Sequence, residues 1–270
     1  MQVVKRMFLG TSFALVCLCT FSAADISCGE SKKSKMVGNE DSQSCQVERF
    51  EDGKTALLLG ATGETGQQLI KQLVRSSQYS RIVSIGRREV EIPDDIPHQK
   101  VEQVIVDFDN LEQYSTKFSE IDVAFCCLGT TRAKAGADGF VRVDHDYVLK
   151  AAQILRDSHC PEFHLLTSKG SNANSWFLYP STKGKVENAV IELDFPRLAI
   201  YRPGLLLCDR KEKRLMESAF QSVARMMDKS FWWSVETSMV AKAMIATSLK
   251  KESGKVEILE HNRIVELARM

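Results

Sequence analysis

Residues 55–66, Thr55-Ala56-Leu57-Leu58-Leu59-Gly60-Ala61-Thr62-Gly63-Glu64-Thr65-Gly66, decide the fold of this chain. The apolar start of the stretch predicts a short buried strand that runs directly into a glycine-rich turn. After the turn, apolar residues recur at helical spacing over residues 67–75. Glycines in a strand–turn–helix unit let backbone N–H groups approach a pyrophosphate, and the helix N-terminus adds donors and a favourable dipole. The stretch therefore predicts a dinucleotide site at Gly60, Gly63 and Gly66.

Further apolar segments follow along the chain, and helical patterns lie between several of them. The segments are nearly continuous in apolar character, which is typical of strands covered on both faces. They occupy residues 82–85, 104–106, 123–128, 163–167 and 198–201, with helical patterns at 143–155 and 182–193. This alternation predicts an α/β fold of the Rossmann type, a doubly wound parallel sheet with helices on both faces. Helical stretches after Arg202, at 215–227 and 238–249, predict a small C-terminal cap beside the sheet.

The composition limits the classes of protein to which the chain can belong. Of 270 residues, 36 are Lys or Arg and 35 are Asp or Glu, giving a formal charge of +1, and 44% are hydrophobic. This balance excludes a disordered or multi-span membrane protein, and it argues against direct nucleic-acid binding, which needs a cationic face. We predict three segments: a signal or membrane-anchor segment at 1–24, a flexible linker at 25–53, and a single nucleotide-binding domain with its cap at 54–270.

The N-terminal segment contains an uncharged run from Met7 to Ala24, preceded by Lys5 and Arg6. The run is just long enough for a membrane anchor, and its small residues near Ala24 also fit a cleaved secretory signal. An uncleaved leader without a role in the fold is a third alternative. Because Cys126-Cys127 lies in an apolar strand, it indicates buried free thiols, which favour a reducing compartment. We therefore expect a cytoplasmic domain, anchored through the run, with the secretory pathway as the alternative.

Metal catalysis is not expected. The eight cysteines and five histidines form no C-x-x-C motif and no cluster with zinc spacing.

The identity of the nucleotide is indicated one strand after the glycine turn. An NAD site would place Asp or Glu at the end of the second strand to bind the ribose 2′-OH. This chain has Gly86-Arg87-Arg88 there. A guanidinium would bind the 2′-phosphate, which a carboxylate would repel, so the arginines predict NADPH unless they are simply solvated. Asp107 is a candidate contact for the adenine, and Leu128-Gly129 for the ribose and nicotinamide.

Candidate catalytic residues follow the fifth strand. Ser168 comes just after that strand, and Tyr179 precedes Lys183 by four residues, which places both on one face of a helix. Hydride transfer to a carbonyl requires a proton donor at its oxygen, and a tyrosine serves when a nearby cation favours the phenolate. Ser168 would hold the carbonyl oxygen, with Thr167 as the competing hydroxyl. The alternative for Tyr179 and Lys183 is a surface pair on a helix.

Together these motifs resemble the short-chain dehydrogenase/reductase superfamily in its atypical or extended branch. More closely, the chain is similar to the Tat-interacting oxidoreductase family from about Thr55 to Arg214. The similarity rests on the glycine turn and on the runs at residues 85–88, 106–108, 125–132, 134–137, 140–144, 146–150, 168–170, 202–204 and 207–210. The family implies NADPH-binding proteins linked to apoptosis, metastasis suppression and nuclear import, so nuclear import factors are implied as protein partners.

The resemblance also implies roles for individual residues. Tyr179 would be the proton donor. The implied cofactor contacts are Thr62, Gly63, Glu64, Thr65, Arg87, Arg88, Leu128, Gly129 and Lys183, with Leu206 and Arg214 as further candidates.

Two functions are therefore predicted. One is an NADPH-dependent reductase of a small, unidentified carbonyl substrate. The other is an NADPH-gated regulator that binds a protein partner with little or no catalysis. Both need the glycine turn and Arg87-Arg88, whereas the reductase alone needs Tyr179.

Overall fold

The computed structural model describes residues 53–92, 98–207, 234–250 and 254–270. All of them fall within one compact unit, Val47–Met270. The predicted leader lies outside the described residues, and so does the predicted linker apart from Gly53.

Strands and helices alternate along the described chain. The strands are β1 (Lys54–Leu59), β2 (Tyr79–Gly86), β3 (Val101–Ile105), β4 (Val123–Cys126), β5 (Glu162–Leu166), β6 (Arg197–Arg202), β7 (Leu205–Leu207), β8 (Ser234–Glu236) and β9 (Val256–Glu260). The α-helices are α1 (Glu64–Arg75), α2 (Arg132–Val141), α3 (Tyr147–Asp157), α4 (Leu178–Glu192), α5 (Thr237–Ser248) and α6 (His261–Arg269). Short 3₁₀ helices cover His98–Lys100 and Phe108–Phe118, and a π-helical turn, Arg142–Asp146, joins α2 to α3.

Seven of the described strands form one parallel sheet in the order β3-β2-β1-β4-β5-β6-β9. β7 and β8 pair separately, also in parallel. The chain moves outward from β1 to one side through β2 and β3, and then returns to pair β4 with the other side of β1. In such sheets, ligands bind beyond the carboxyl ends of the strands at this switch point. The doubly wound parallel sheet predicted from the sequence is therefore confirmed.

Successive side chains of each strand point to opposite faces of the sheet. In β1, Leu57 and Leu59 contact the core beneath α3 and α4, whereas Ala56 and Leu58 contact the core shared with α1, α5 and α6. All four residues are fully buried. Both faces of the sheet are covered, which explains why the strands are apolar at nearly every position.

The C-terminal residues are built into the main sheet more than the predicted cap suggests. β9 pairs with β6 as the seventh strand, and α5 and α6 contribute Val240, Met244 and Ile264 to the core on one face. Val256 and Ile258 of β9 are exposed because β9 is an edge strand. The predicted helix at 215–227 lies outside the described residues, as does Arg214.

Candidate cofactor and active site

The glycine turn between β1 and α1 is shaped by close backbone contacts. Gly60 has φ +83°, and a Cβ there would lie 2.6 Å from the carbonyl of Cys127. A Cβ on Gly66 would lie 2.1 Å from the carbonyl oxygen of Gly60. Neither position accepts a side chain without a backbone shift. The two glycines therefore place the turn directly against the carboxyl end of β4.

The first turn of α1 is open to an anion. Gly63 precedes the helix, and no side chain caps it. The first N–H groups of a helix lack intrahelical partners, and they carry the positive end of the helix dipole. Gly63 is exposed, and a Cβ there would meet nothing closer than 3.4 Å, while Thr62 and Glu64 are half-buried and Thr65 is buried. The turn thus fits a pyrophosphate by its backbone.

Arg87 and Arg88 follow Gly86, the last residue of β2, next to the glycine turn in the sheet order. Both are exposed, and neither forms an ion pair or hydrogen bond with another described residue. Their guanidinium groups are therefore available to an external anion.

Asp107, after β3, has a structural task. Its carboxylate accepts from the N–H of Asp109 at 3.0 Å and from Nδ2 of Asn110 at 2.8 Å. Both oxygens thus cap the 3₁₀ helix that follows β3. The contact with adenine stays a prediction.

The end of β4 meets Lys183 of α4. A Cβ on Gly129 would lie 3.9 Å from Lys183 Nζ and 3.3 Å from Asp144 Oδ1. Gly129 thus sits beside Lys183, and Gly60 packs against Cys127 and the N–H of Leu128. Four of the predicted cofactor residues, Gly60, Leu128, Gly129 and Lys183, are therefore brought together.

Asp144 is a member of this site that sequence reasoning missed. Its Oδ1 lies 2.7 Å from Lys183 Nζ, and its Oδ2 accepts from the N–H of Thr130 at 2.7 Å. The exposed fractions of the Asp144 and Lys183 side chains are 2% and 7%. No motif spacing links residues 144 and 183; the signal available in the sequence was the place of Asp144 in the run 140–144, on which the family resemblance rests.

The two candidate hydroxyl groups after β5 differ in their bonding. Thr167 Oγ1 donates to Glu187 Oε1 at 2.6 Å, and Glu187 in turn accepts from the guanidinium of Arg202. Ser168 Oγ is buried and has no hydrogen-bond partner among the described residues. Buried hydroxyl groups are normally satisfied, so an orphaned one is expected where a ligand completes it. The geometry favours Ser168 over Thr167 as the group that binds a carbonyl oxygen.

Tyr179 lies in the first turn of α4. Its ring is 49% exposed and stacks on Phe140 of α2, with the ring centroids 5.5 Å apart. The loop after Ser168 packs closely against α4, because a Cβ on Gly184 would lie 2.1 Å from the N atom of Ala173. In the part of the chain that the structure describes, no hydrogen bond joins the Tyr179 hydroxyl to Ser168 or Lys183.

Leu206 lies in the middle of β7, where it is half-buried beside the core that contains Val235. No described contact links it to the glycine turn.

The structure describes three cysteines, of which Cys126 and Cys127 lie at the carboxyl end of β4 and Cys160 lies before β5. Cys126, Cys127 and Cys160 are free thiols, as predicted for the adjacent pair. Burial raises the pKa of Cys126 and of Cys160 to about 12, and that of Cys127 still higher. Among the described residues, no group of three or more His, Cys, Asp or Glu side chains could hold a metal ion.

Comparison with known proteins gives closely similar relatives. The chain is 43% identical over 218 residues to Protein HTATIP2 of Rattus norvegicus, a match that covers 80% of this chain and 90% of that protein. It is 30% identical over 209 residues to Protein fmp52, mitochondrial, of Aspergillus niger, which covers 74% of this chain and 88% of that protein.

These relatives contradict the expected cytoplasmic, anchored localisation. The fungal relatives are named mitochondrial. No helix within the described ranges is both long enough and apolar enough to cross a membrane. The apolar run from Met7 to Ala24, on which the expectation of an anchor rested, lies outside those ranges.

These relatives show the family, and a family model agrees with them. Residues 60–191 match a family model described as NAD(P)H-binding. The fold is similar to that of MoeE5 in complex with UDP-glucose and NAD, with a TM-score of 0.58 and 14% identity over 79% of this chain and 80% of that chain. This likeness concerns the fold alone. The chain belongs to the Tat-interacting oxidoreductase family, whose NAD(P)H-binding domain places it in the atypical branch of the short-chain dehydrogenase/reductase superfamily.

Proposed function

We propose that the protein is an NADPH-dependent oxidoreductase that reduces a small carbonyl substrate. One observation carries the proposal: the glycine turn, the end of β4 and Lys183 lie next to one another at the switch point of the sheet. Gly60 contacts the backbone of residues 127 and 128, and Gly129 lies beside Lys183. A dinucleotide bound beside these residues would have its pyrophosphate at the N-terminus of α1 and its nicotinamide ribose near Lys183.

The preference for NADPH over NADH rests on Arg87 and Arg88. A 2′-phosphate carries close to two negative charges at neutral pH and has three acceptor oxygens. Guanidinium groups bind such an anion in bidentate geometry. Both arginines are exposed and without a described partner at the end of β2, so binding a phosphate breaks no described contact.

The chemistry divides between the cofactor and three side chains. When bound, the nicotinamide supplies a hydride to the carbonyl carbon. Ser168 Oγ would donate a hydrogen bond to the carbonyl oxygen, which fixes its orientation. The Tyr179 hydroxyl would transfer its proton to that oxygen and recover one from water, because the ring is half-exposed. The Lys183 ammonium would favour the transient phenolate through its charge.

The test is a screen of aldehydes and ketones in which NADPH oxidation is followed with the full-length protein and with Tyr179→Phe. The variant should lose at least about 100-fold in kcat/KM on any substrate found, because it lacks the proton donor, and should keep its affinity for NADPH. Tyr114→Phe is the matched control, since it makes the same chemical change on the 3₁₀ helix after β3. Equal turnover by Tyr179→Phe and the wild type would overturn the catalytic role.

A specific observation also favours the second candidate, an NADPH-gated regulator. Lys183 pairs with Asp144 and has no described bond with Tyr179. Close to Tyr179, Trp176 and Phe177 are 101% and 77% exposed, which is unusual for large aromatic side chains and typical of protein-binding surfaces. In this function, NADPH would order the loops and a protein, such as the nuclear import factors that the family resemblance implies, would bind, with a role in apoptosis.

The two functions make different demands on the same variant. Titration of the full chain with a purified nuclear import factor should show tighter binding when NADPH is present, and Tyr179→Phe should leave this enhancement intact. If NADPH does not change the affinity, the regulator is ruled out for that partner.

A further inference from the structure

Asp144 holds an unusual position for a carboxylate. The π-helical turn Arg142–Asp146 between α2 and α3 carries it, and such turns frequently occur at functional sites. The residue is 1% exposed, and both of its carboxylate oxygens are bonded within the protein, one to Lys183 and one to the N–H of Thr130. The carboxylate therefore links α4 to the loop that follows β4.

Lys183 depends on this one carboxylate. Asp144 is its sole ion-pair partner within the described chain, and the Lys183 side chain is 7% exposed. A buried ammonium without a counter-ion is strongly unfavourable and tends to lose its proton. An ammonium also has three donors, so one bond to Asp144 leaves two for the hydroxyl groups of a ribose.

We propose that Asp144 is a positioning residue, which holds the Lys183 ammonium charged and aimed at the site of the nicotinamide ribose. The proposal rests on the proposed function, because it assumes that a cofactor ribose lies beside Gly129 and Lys183. Asp144 acts through Lys183, while the bond from the Thr130 N–H holds the carboxylate in place, and it has no role of its own in the chemical step.

In the described part of the chain, the titratable groups around the Asp144–Lys183 pair are two thiols, a histidine and a tyrosine. The thiols of Cys126 and Cys127 face it from the end of β4, and burial keeps their pKa at about 12 or above. On the same turn, His145 Nδ1 bonds to Asp146 Oδ1 at 2.8 Å and not to Asp144. On α4 itself, Tyr179 stacks on Phe140. A pH dependence that is present in the Asp144 variant and absent from the wild type would therefore report the Asp144–Lys183 pair.

The test compares NADPH affinity of the full-length wild type and of Asp144→Asn between pH 7 and 9.5, by titration of NADPH fluorescence. This range avoids the second ionisation of the 2′-phosphate, which lies near pH 6. The dissociation constant of the wild type for NADPH should not change over this pH range. The variant should bind more weakly at every pH and lose at least a further 10-fold as the pH rises, because its buried amine has no carboxylate to keep it charged.

The matched control is Asp146→Asn, which removes an exposed carboxylate two residues away on the same turn. It should bind NADPH as the wild type does. A double variant, Asp144→Asn with Lys183→Met, should bind no more weakly than Lys183→Met alone, because the two residues act as one unit.

Each other outcome has a defined meaning. If Asp144→Asn weakens binding equally at every pH and lowers the melting temperature, Asp144 has a purely structural role and the proposal is wrong. If it binds as the wild type does, the proposal is also wrong while the proposed function stands. If the wild type binds no NADPH, the proposed function fails instead.

Discussion

The amino-terminal ends of the parallel strands form one edge of the sheet, and the carboxyl-terminal ends form the opposite edge. Both edges carry charged or polar side chains, but the bonding of these side chains differs. At the amino-terminal edge, Glu162 begins β5 and is almost completely buried. It accepts from His164 at 2.7 Å, pairs with Arg197 at 2.9 Å, and lies 3.5 Å from Lys54 Nζ. At the carboxyl-terminal edge, Ser168 Oγ has no partner among the described residues, and the arginines after β2 have none there either.

The difference separates stability from binding. Groups that are fully bonded within the protein have no capacity left for a ligand, and removing one of them leaves its partners unsatisfied. Groups without internal partners contribute little to folding and are free to bind. We therefore expect substitution of the bonded groups at the amino-terminal edge to lower stability without affecting the cofactor, and substitution of Ser168, Arg87 or Arg88 at the carboxyl-terminal edge to do the reverse.

The largest effect is expected for Arg87→Glu combined with Arg88→Glu. The double variant replaces two attractive groups with two carboxylates that repel the 2′-phosphate. NADPH should bind about 1,000-fold more weakly, about 4 kcal/mol, while NADH binding changes little and the melting temperature stays the same. Calorimetric titration with both nucleotides measures this. Lys242→Glu, an exposed charge reversal on α5, is the control. An unchanged ratio of NADPH to NADH affinity would refute the phosphate-binding role.

A smaller effect, on stability, is expected for Glu162→Gln. Removing the charge leaves Arg197 and Lys54 without their partner, and because both reach solvent the cost should be about 2–3 kcal/mol, below that of a fully buried pair. Urea unfolding measures the loss, and NADPH affinity should not change. Glu266→Gln, in an exposed pair with Arg263, should leave stability unchanged. A loss of NADPH binding in Glu162→Gln would show that the two edges are coupled.

The same cluster gives a pH dependence of stability. Burial lowers the pKa of His164 below its ordinary 6.5, despite its bond to Glu162. Burial would raise the pKa of Glu162, but the hydrogen bond from His164 and the nearby positive charges bring it below the ordinary 4.5. Both groups bind protons more readily in the unfolded chain, so stability should fall as the pH drops below about 6.5 and again below about 4.5. In Glu162→Gln the fall below about 4.5 should be smaller.

The smallest effect is expected for two neighbouring hydroxyl groups. Thr167→Ala removes one donor to buried Glu187, which keeps its bonds to Arg202, and should cost about 1–2 kcal/mol of stability. Ser168→Ala removes a hydroxyl that has no described partner, so stability should change by less than about 0.5 kcal/mol while turnover falls. Thermal unfolding of the two variants measures the contrast. If Ser168→Ala costs as much as Thr167→Ala, Ser168 Oγ has a structural partner and is not reserved for a ligand.

Local patterns in the sequence predicted most of the fold. The glycine turn and the apolar strands can be recognised from a few consecutive residues. The burial of one or both faces of an element determines which of its residues are apolar, and that pattern is visible in the sequence. The sequence predicts only a cap after Arg202 and no strand at β9, because Val256 and Ile258 are separated by Glu257 and do not form a continuous apolar run. An edge strand has a neighbouring strand on one side only. Part of its surface faces solvent, so its residues need not be apolar at every position and the strand is harder to recognise in the sequence.

The candidate site was predicted where a motif fixes it and missed where tertiary contacts create it. Tyr179 and Lys183 are four residues apart, so helical periodicity relates them. Asp144 is 39 residues before Lys183, and only the packing of the π-helical turn against α4 brings the two charges together. The choice between Thr167 and Ser168 also needed the structure, because Glu187 of α4 bonds to Thr167 and leaves Ser168 Oγ without a described partner.

We propose that the carboxyl-terminal edge of the sheet is an NADPH site. Calorimetric titration of the full-length protein with NADPH and, separately, with NADH tests it most directly. We predict one equivalent of NADPH bound at least 10-fold more tightly than NADH. Equal affinity for the two nucleotides, tighter binding of NADH, or no binding of either would contradict the account.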